Sequence, residues 1–134
     1  MNAVVKALRE ELLADAPLVA LLADPKAVWE DVAPQGSGHP FVVISLNSGP
    51  KEFTLDGLAF DKPRYLIKAV DPSSSAVKAG QIADRVEAVL TDADLTIAGR
   101  HHAYLRPESD VAYSEVKDGK TYRHRGGLYR LYVA

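Results

Sequence analysis

The sequence predicts an α+β fold, a mainly antiparallel β-sheet with two α-helices packed on one face. Three observations carry this. Residues 2–15 and the stretch from the serines at 73–75 to about 91 repeat apolar side chains at helical spacing. Runs rich in β-branched and aromatic residues lie between and after them. An Asp118-Gly119 pair, a strong two-residue turn signal, closes a hairpin near the end. At 134 residues the chain is expected to form a single domain, 1–134, with an arm or loop over about 49–62.

The elements follow in order. In the first helix Val5, Leu8 and Leu12 form the apolar stripe, while Arg9, Glu10 and Glu11 face away. Pro17 opens a second short turn, and Asp24-Pro25 closes the helical region. Residues 27–32 read as a short strand, and 34–40 as a loop rich in Pro and Gly. Residues 41–47 are a well-buried strand. Residues 51–62 read as a strand extension plus a loop around Asp56-Gly57. Residues 64–70 alternate as a strand. A serine of the 73–75 run is expected to N-cap the second helix, whose apolar stripe holds Ala79, Ile82, Ala83, Val86, Val89 and Leu90. Residues 93–98 read as a short strand or turn, and 101–105 as a strand. Residues 110–117 and 120–125 are the arms of the hairpin, Gly126-Gly127 a bend or bulge, and 128–133 the closing strand.

Composition narrows the function. There is no cysteine, which excludes disulfides, thiolate metal sites and thiol nucleophiles. A formal charge of −2 argues against strong non-specific binding to nucleic acid. The charge is uneven: the chain is acidic up to Asp61 and basic from Arg100 on, so copies are able to pair head to tail. No segment approaches the ~20 apolar residues that span a membrane.

Chemistry is hard to build. His39, His101, His102 and His124 form no metal-binding spacing, so neither metal nor cofactor is expected. Ser37 sits in Gly36-Ser37-Gly38, which a strand follows, so it is neither a nucleophile elbow nor a phosphate loop. A small hydrolase or transferase with His101 or His102 as base has no partner group to name. Tyr122, Arg123, His124, Arg125, Tyr129 and Arg130 interleave aromatic and basic residues. That pattern suits a protein interface, or alternatively a cytoplasmic module binding RNA or another ligand through this hairpin.

One stretch carries more. Val28 to Gly36 ends in A-P-Q-G, Pro40-Phe41-Val42-Val43-Ile44 follows, and then comes T-L-D-G at Thr54 to Gly57. Ala79, Ala83, Val86 and Leu90, then a hairpin with Asp-Gly and a closing strand, complete the series. This order resembles the small tail-completion, or tail-terminator, proteins of long-tailed bacteriophages. The resemblance implies a structural protein, not an enzyme. It implies a homo-oligomeric ring, commonly a hexamer, at the head-proximal end of the tail of a phage, prophage or gene transfer agent, assembled in the bacterial cytoplasm. The implied partners are further copies of the chain, the major tail tube protein and a head-tail connector or stopper. DNA would pass through the lumen without sequence readout.

The arm has no evident role inside one compact domain. It is expected to reach a neighbouring copy or line the ring. The residues expected at the subunit interface are therefore Lys51, Glu52, Phe53, Thr54, Leu55, Asp56 and Asp61 of the arm, with Arg123, Arg125 and Arg130 of the basic hairpin.

Overall fold

The computed structural model describes residues 3–49, 51–54, 57–100 and 102–133. The helices are α1 (Ala3–Leu13), α2 (Ala16–Val19) and α3 (Val77–Leu90). The strands are β1 (Val28–Glu30), β2 (Phe41–Ser48), β3 (Lys51–Thr54), β4 (Gly57–Asp61), β5 (Arg64–Asp71), β6 (His102–Lys117) and β7 (Lys120–Val133).

α1 buries Val5, Ala7, Leu8 and Leu12, the stripe expected from the sequence. It stops before Asp15 because that residue caps α2, its Oδ2 accepting from Leu18 N at 3.0 Å. α3 buries Ala79, Ile82, Val86 and Leu90. The expected serine N-cap does not form. Ala76 holds the cap position without a side-chain bond, and Ser75 Oγ only accepts from Val77 N at a long 3.5 Å. Ser73 instead donates its hydroxyl to Asp71, and the Ser74 carbonyl accepts from Arg123. Ser73 and Ser74 serve the turn leaving β5, not the helix end.

The strands form one seven-stranded sheet in the order β1-β2-β5-β7-β4-β3, with β6 on β7. Among the described residues only β1 and β2 pair in parallel. Two long hairpins supply six of the seven strands, β1 being the seventh. β2 and β3 pair with β5 and β4 in one nearly continuous register, from Phe41↔Val70 to Thr54↔Gly57, shifted by bulges after Leu46 and Glu52. β4 and β5 likewise share one register against β7, Asp61↔Val133 and Arg64↔Arg130, with Leu131 N bonded to Pro63 O at 3.0 Å between them. The second hairpin is β6–β7, from His102↔Val133 to Lys117↔Lys120. Its turn places Asp118 at φ 51° and Gly119 at φ 78°, the left-handed geometry that an Asp-Gly pair favours.

Three expectations need correction. The arm is a two-stranded hairpin: β3 extends β2 as expected, but Gly57, expected in a loop with Asp56, begins a second strand, β4. Residues 93–98, expected as a short strand or turn, form no strand and turn only at Ala98, although Leu95 and Ile97 are buried. β7 runs unbroken through Gly126-Gly127, and the irregularity falls across from it, on β6 between Pro107 and Ser109. Gly126 is required for another reason: a Cβ there would collide with the Ile67 carbonyl oxygen and Lys68 Cα of β5.

The core lies between the helices and one sheet face. Val42, Ile44, Ile67, Tyr129, Leu131 and Val133 meet Leu8, Leu12, Ile82, Val86 and Leu90 there. By alternation the other face carries Phe41, Val43, Lys68, Val70 and His124.

Candidate assembly surfaces

The two hairpins project from opposite ends of the sheet. β3–β4 extends past Val133, the last described residue of β7. β6–β7 extends past Asp71, the last residue of β5, by the segments on either side of Asp118-Gly119.

The β3–β4 arm holds the expected residues Lys51, Glu52, Phe53 and Thr54 in β3. Leu55 and Asp56 lie outside the described residues, as does His101. Asp61 sits at the root of the arm. Its Oδ2 pairs with Arg100 Nη2 at 2.8 Å, and the same nitrogen donates to Val133 O at 3.1 Å. This ion pair fixes the arm to the end of the sheet. It also joins the acidic and basic halves of the chain within one copy.

The three hairpin arginines do not form one patch. Alternation along β7 puts Arg123 and Arg125 on the helix-bearing face and Arg130 on the open one. Arg123 donates to Ser114 Oγ at 3.0 Å and Ser74 O at 3.2 Å. Arg125 donates to the carbonyls of Tyr113 and His124 at 3.0 and 2.8 Å. Arg130 donates to Glu108 Oε1 and Lys62 O, each at 2.7 Å, and Arg64 Nε lies 2.8 Å from Glu108 Oε2. The Arg130 hydrogen bond holds the Glu108 carboxyl below its ordinary range, helped by both arginine charges. Tyr129 is buried on the helix face, so the aromatic and basic run of the sequence is split between two faces.

The open face carries an aromatic and basic cluster that the sequence did not single out. The rings of Tyr104 and Tyr132 stack at 4.4 Å. Lys62 Nζ lies 5.2 Å from the Tyr132 ring centre, and the Arg106 guanidinium 5.5 Å from that of Tyr104. The signal was available: Tyr104 and Tyr132 are cross-strand neighbours once β6 and β7 pair.

At the opposite end a cleft of about 410 Å3 opens between the 31–39 segment and the β6–β7 tip. Phe41, Val43 and Val70 contribute its apolar lining, and Lys68, Glu115 and Lys117 charged lining. His124 lines it too, its ring stacked on Tyr113 at 4.4 Å and its Nε2 2.8 Å from Glu115 Oε1. Burial pushes the His124 pKa down, against the pull of Glu115. His39, with ring neighbours Phe41 and Tyr122, is also pushed down by burial. Both are neutral near pH 7. Ser37 Oγ donates to Pro34 O at 2.6 Å, a turn contact. His102 lies in β6, paired with Val133. Among the described residues no group of three or more His, Cys, Asp or Glu is placed to hold a metal.

These features define an α+β domain with a helix layer on one sheet face and a projecting hairpin at each end of the sheet. The chain belongs to the family described as Tail completion protein gp17, whose model matches residues 6–126. It is a phage-type tail structural protein. A chain in the solved virion of a native gene transfer agent particle has the same fold, with a TM-score of 0.78 and 23% identity. The match covers 96% of this chain and 92% of that one. A second solved structure matches with a TM-score of 0.56 and 12% identity, over 96% and 90% of the two chains. No curated protein matches the chain.

Proposed function

We propose that this protein forms a ring, a hexamer in the reading that the family resemblance favours, at the head-proximal end of a phage-type tail. There it ends polymerisation of the tail tube and joins the tail to the head connector. It acts without catalysis, and DNA passes through the lumen without sequence readout. Its partners are further copies of itself, the major tail tube protein and a connector or stopper. Assembly takes place in the bacterial cytoplasm.

The observation that supports this reading is the placement of two hairpins at opposite ends of one sheet. A subunit between tube and connector has to meet different neighbours at its two ends. Lys51, Glu52, Phe53, Thr54, Leu55 and Asp56 contact the next copy. Asp61, Arg123, Arg125 and Arg130 hold the projections in the shape that this contact needs.

The test is electron microscopy of particles carrying a small tag inserted between Asp118 and Gly119. Tag density is expected at the head–tail junction, and particles lacking the chain should show tails of unregulated length without heads. Tag density at the distal tip overturns the reading.

A further inference from the structure

We infer that copies join edge to edge, the outer edge of β2–β3 in one copy adding as an antiparallel strand to the outer edge of β6 in the next. The inference rests on the ring reading above and supplies the seam that reading needs. Among the described residues, two outer edges of the sheet lack a flanking strand. On one side β1 covers β2 only at Val42, Val43 and Ile44, which leaves β2 from Leu46 onward and β3 bare. On the other side β6 pairs with β7 alone. Its first part is capped, Leu105 O accepting from Asp92 N at 3.1 Å, and from Ser109 to Lys117 it is bare. A bare edge is a template for another strand.

The registers of the two edges fit each other in three ways. The first is direction. β2 and β3 run parallel to β7, and β6 runs against it. Two copies side by side, with the same face forward and the same end up, therefore meet antiparallel, as most of the sheet already pairs.

The second is apolar contact. Leu46 is level with Tyr129 through Tyr65, and Val116 is level with Thr121. Sliding one copy by these eight residues of β7, roughly 27 Å along the strands, sets Leu46 opposite Val116. Both side chains fall on the helix-bearing face, and they are 56% and 75% exposed.

The third is fit at the ends. The same slide carries β1, level with Arg125 to Gly127, past the last pair Lys117↔Lys120 to the level of the Asp118-Gly119 turn, so it pairs with no residue of β6. It brings Thr54, three residues past Lys51, to the level of Ser109, where the bare edge stops. The contact is heterologous, and a staggered heterologous contact closes into a ring when the strands tilt to the ring axis.

The chain has no cysteine, so L46C/V116C is a clean probe. Facing residues of an antiparallel pair have Cβ atoms about 4.5–5.5 Å apart, close to disulfide reach. Mild oxidation of purified particles should give a ladder of cross-linked chains up to the ring number, while either single variant stops at dimers. Rings that remain intact without the ladder overturn the seam and leave the ring reading standing. Particles with no ring of this chain in electron micrographs overturn both. A second probe covers failed assembly of the cysteine variant. L46D should lower ring yield at least tenfold while the monomer stays folded by circular dichroism, and V116K in the same chain should restore it. Loss without recovery overturns the seam.

Discussion

At the scale of single residues, the fold depends on contacts that bridge distant parts of the chain. Arg85 of α3 grips Asp15 with two bonds of 2.7 Å, although 70 residues separate them. The Arg85 hydrogen bonds hold the Asp15 pKa below its ordinary value, with the Leu18 amide assisting and desolvation opposing. A depressed carboxylate pKa contributes stability above about pH 4 that is lost as pH falls through the folded value. Asp15→Asn keeps the α2 cap and removes the charge. It should therefore unfold at lower temperature than the parent at pH 7, and the gap should close by pH 2–3. A gap independent of pH would contradict this. Asp15→Ala should lose in addition about 1 kcal/mol of cap. His124 works in the same direction by another route. Its pKa is lowered mainly by burial and further by Lys68 and Arg125, while Glu115 raises it. Its contribution is complete above about pH 6.5 and is lost as pH falls toward the folded pKa. His124→Phe retains a ring against Tyr113 and removes the titration. Its melting temperature should therefore fall less than the parent's between pH 7 and pH 5. His39, shifted the same way, should leave a residual slope.

At the scale of elements, much was legible and the exceptions have physical causes. α1, α3 and β5 follow from periodicity because each turns one apolar face to the core, and β2 follows from its continuous apolar run, buried on both faces from Phe41 to Ile44. The Asp118-Gly119 turn follows from the backbone angles it needs. The β3–β4 arm was not legible as a hairpin. Its register is inherited from β2–β5 and continues past a bulge, so short-range pattern says little about it. The residues proposed for the interface were grouped in the sequence by the family resemblance and by an arm with no evident role inside one compact domain. The tethers of Arg123, Arg125 and Arg130 depend on which face each side chain takes, and that is set by pairing across the sheet. Two glycines make the point testable. Gly126 leaves no room for a methyl group beside β5, whereas Gly80 in α3 has nothing within 4 Å of an added Cβ. Gly126→Ala should destabilise the chain by about 1–3 kcal/mol, the range for overpacking. Gly80→Ala should stabilise it by about 0.5–1 kcal/mol through helix propensity. Urea titration of both variants checks the pair, and equal effects would show that close approach to β5 does not govern Gly126.

At the scale of the whole molecule, part of the charge asymmetry is satisfied within one copy. Arg85 meets Asp15, and Arg100 meets Asp61, each joining the later part of the chain to its acidic start. In the proposed ring, head-to-tail attraction between copies therefore draws on fewer charges than the sequence offers, and shape has to supply the rest. In that proposal the burden of assembly falls on the arm. Its root is fixed by the Asp61–Arg100 pair and by the Asp61↔Val133 register, both at the end of the sheet. Beyond that root, β3 and β4 pair only with each other among the described residues. Removing residues 52–60 and closing Lys51 to Asp61 with Asn-Gly leaves the root pair in place and shortens the hairpin to a turn it favours. The shortened chain should keep its circular dichroism spectrum and unfold cooperatively. It should stay monomeric in analytical ultracentrifugation under conditions where the parent forms rings, and it should leave tails without heads when it replaces the parent in particles. Full-size rings from the shortened chain would show that the arm is not the element by which copies meet.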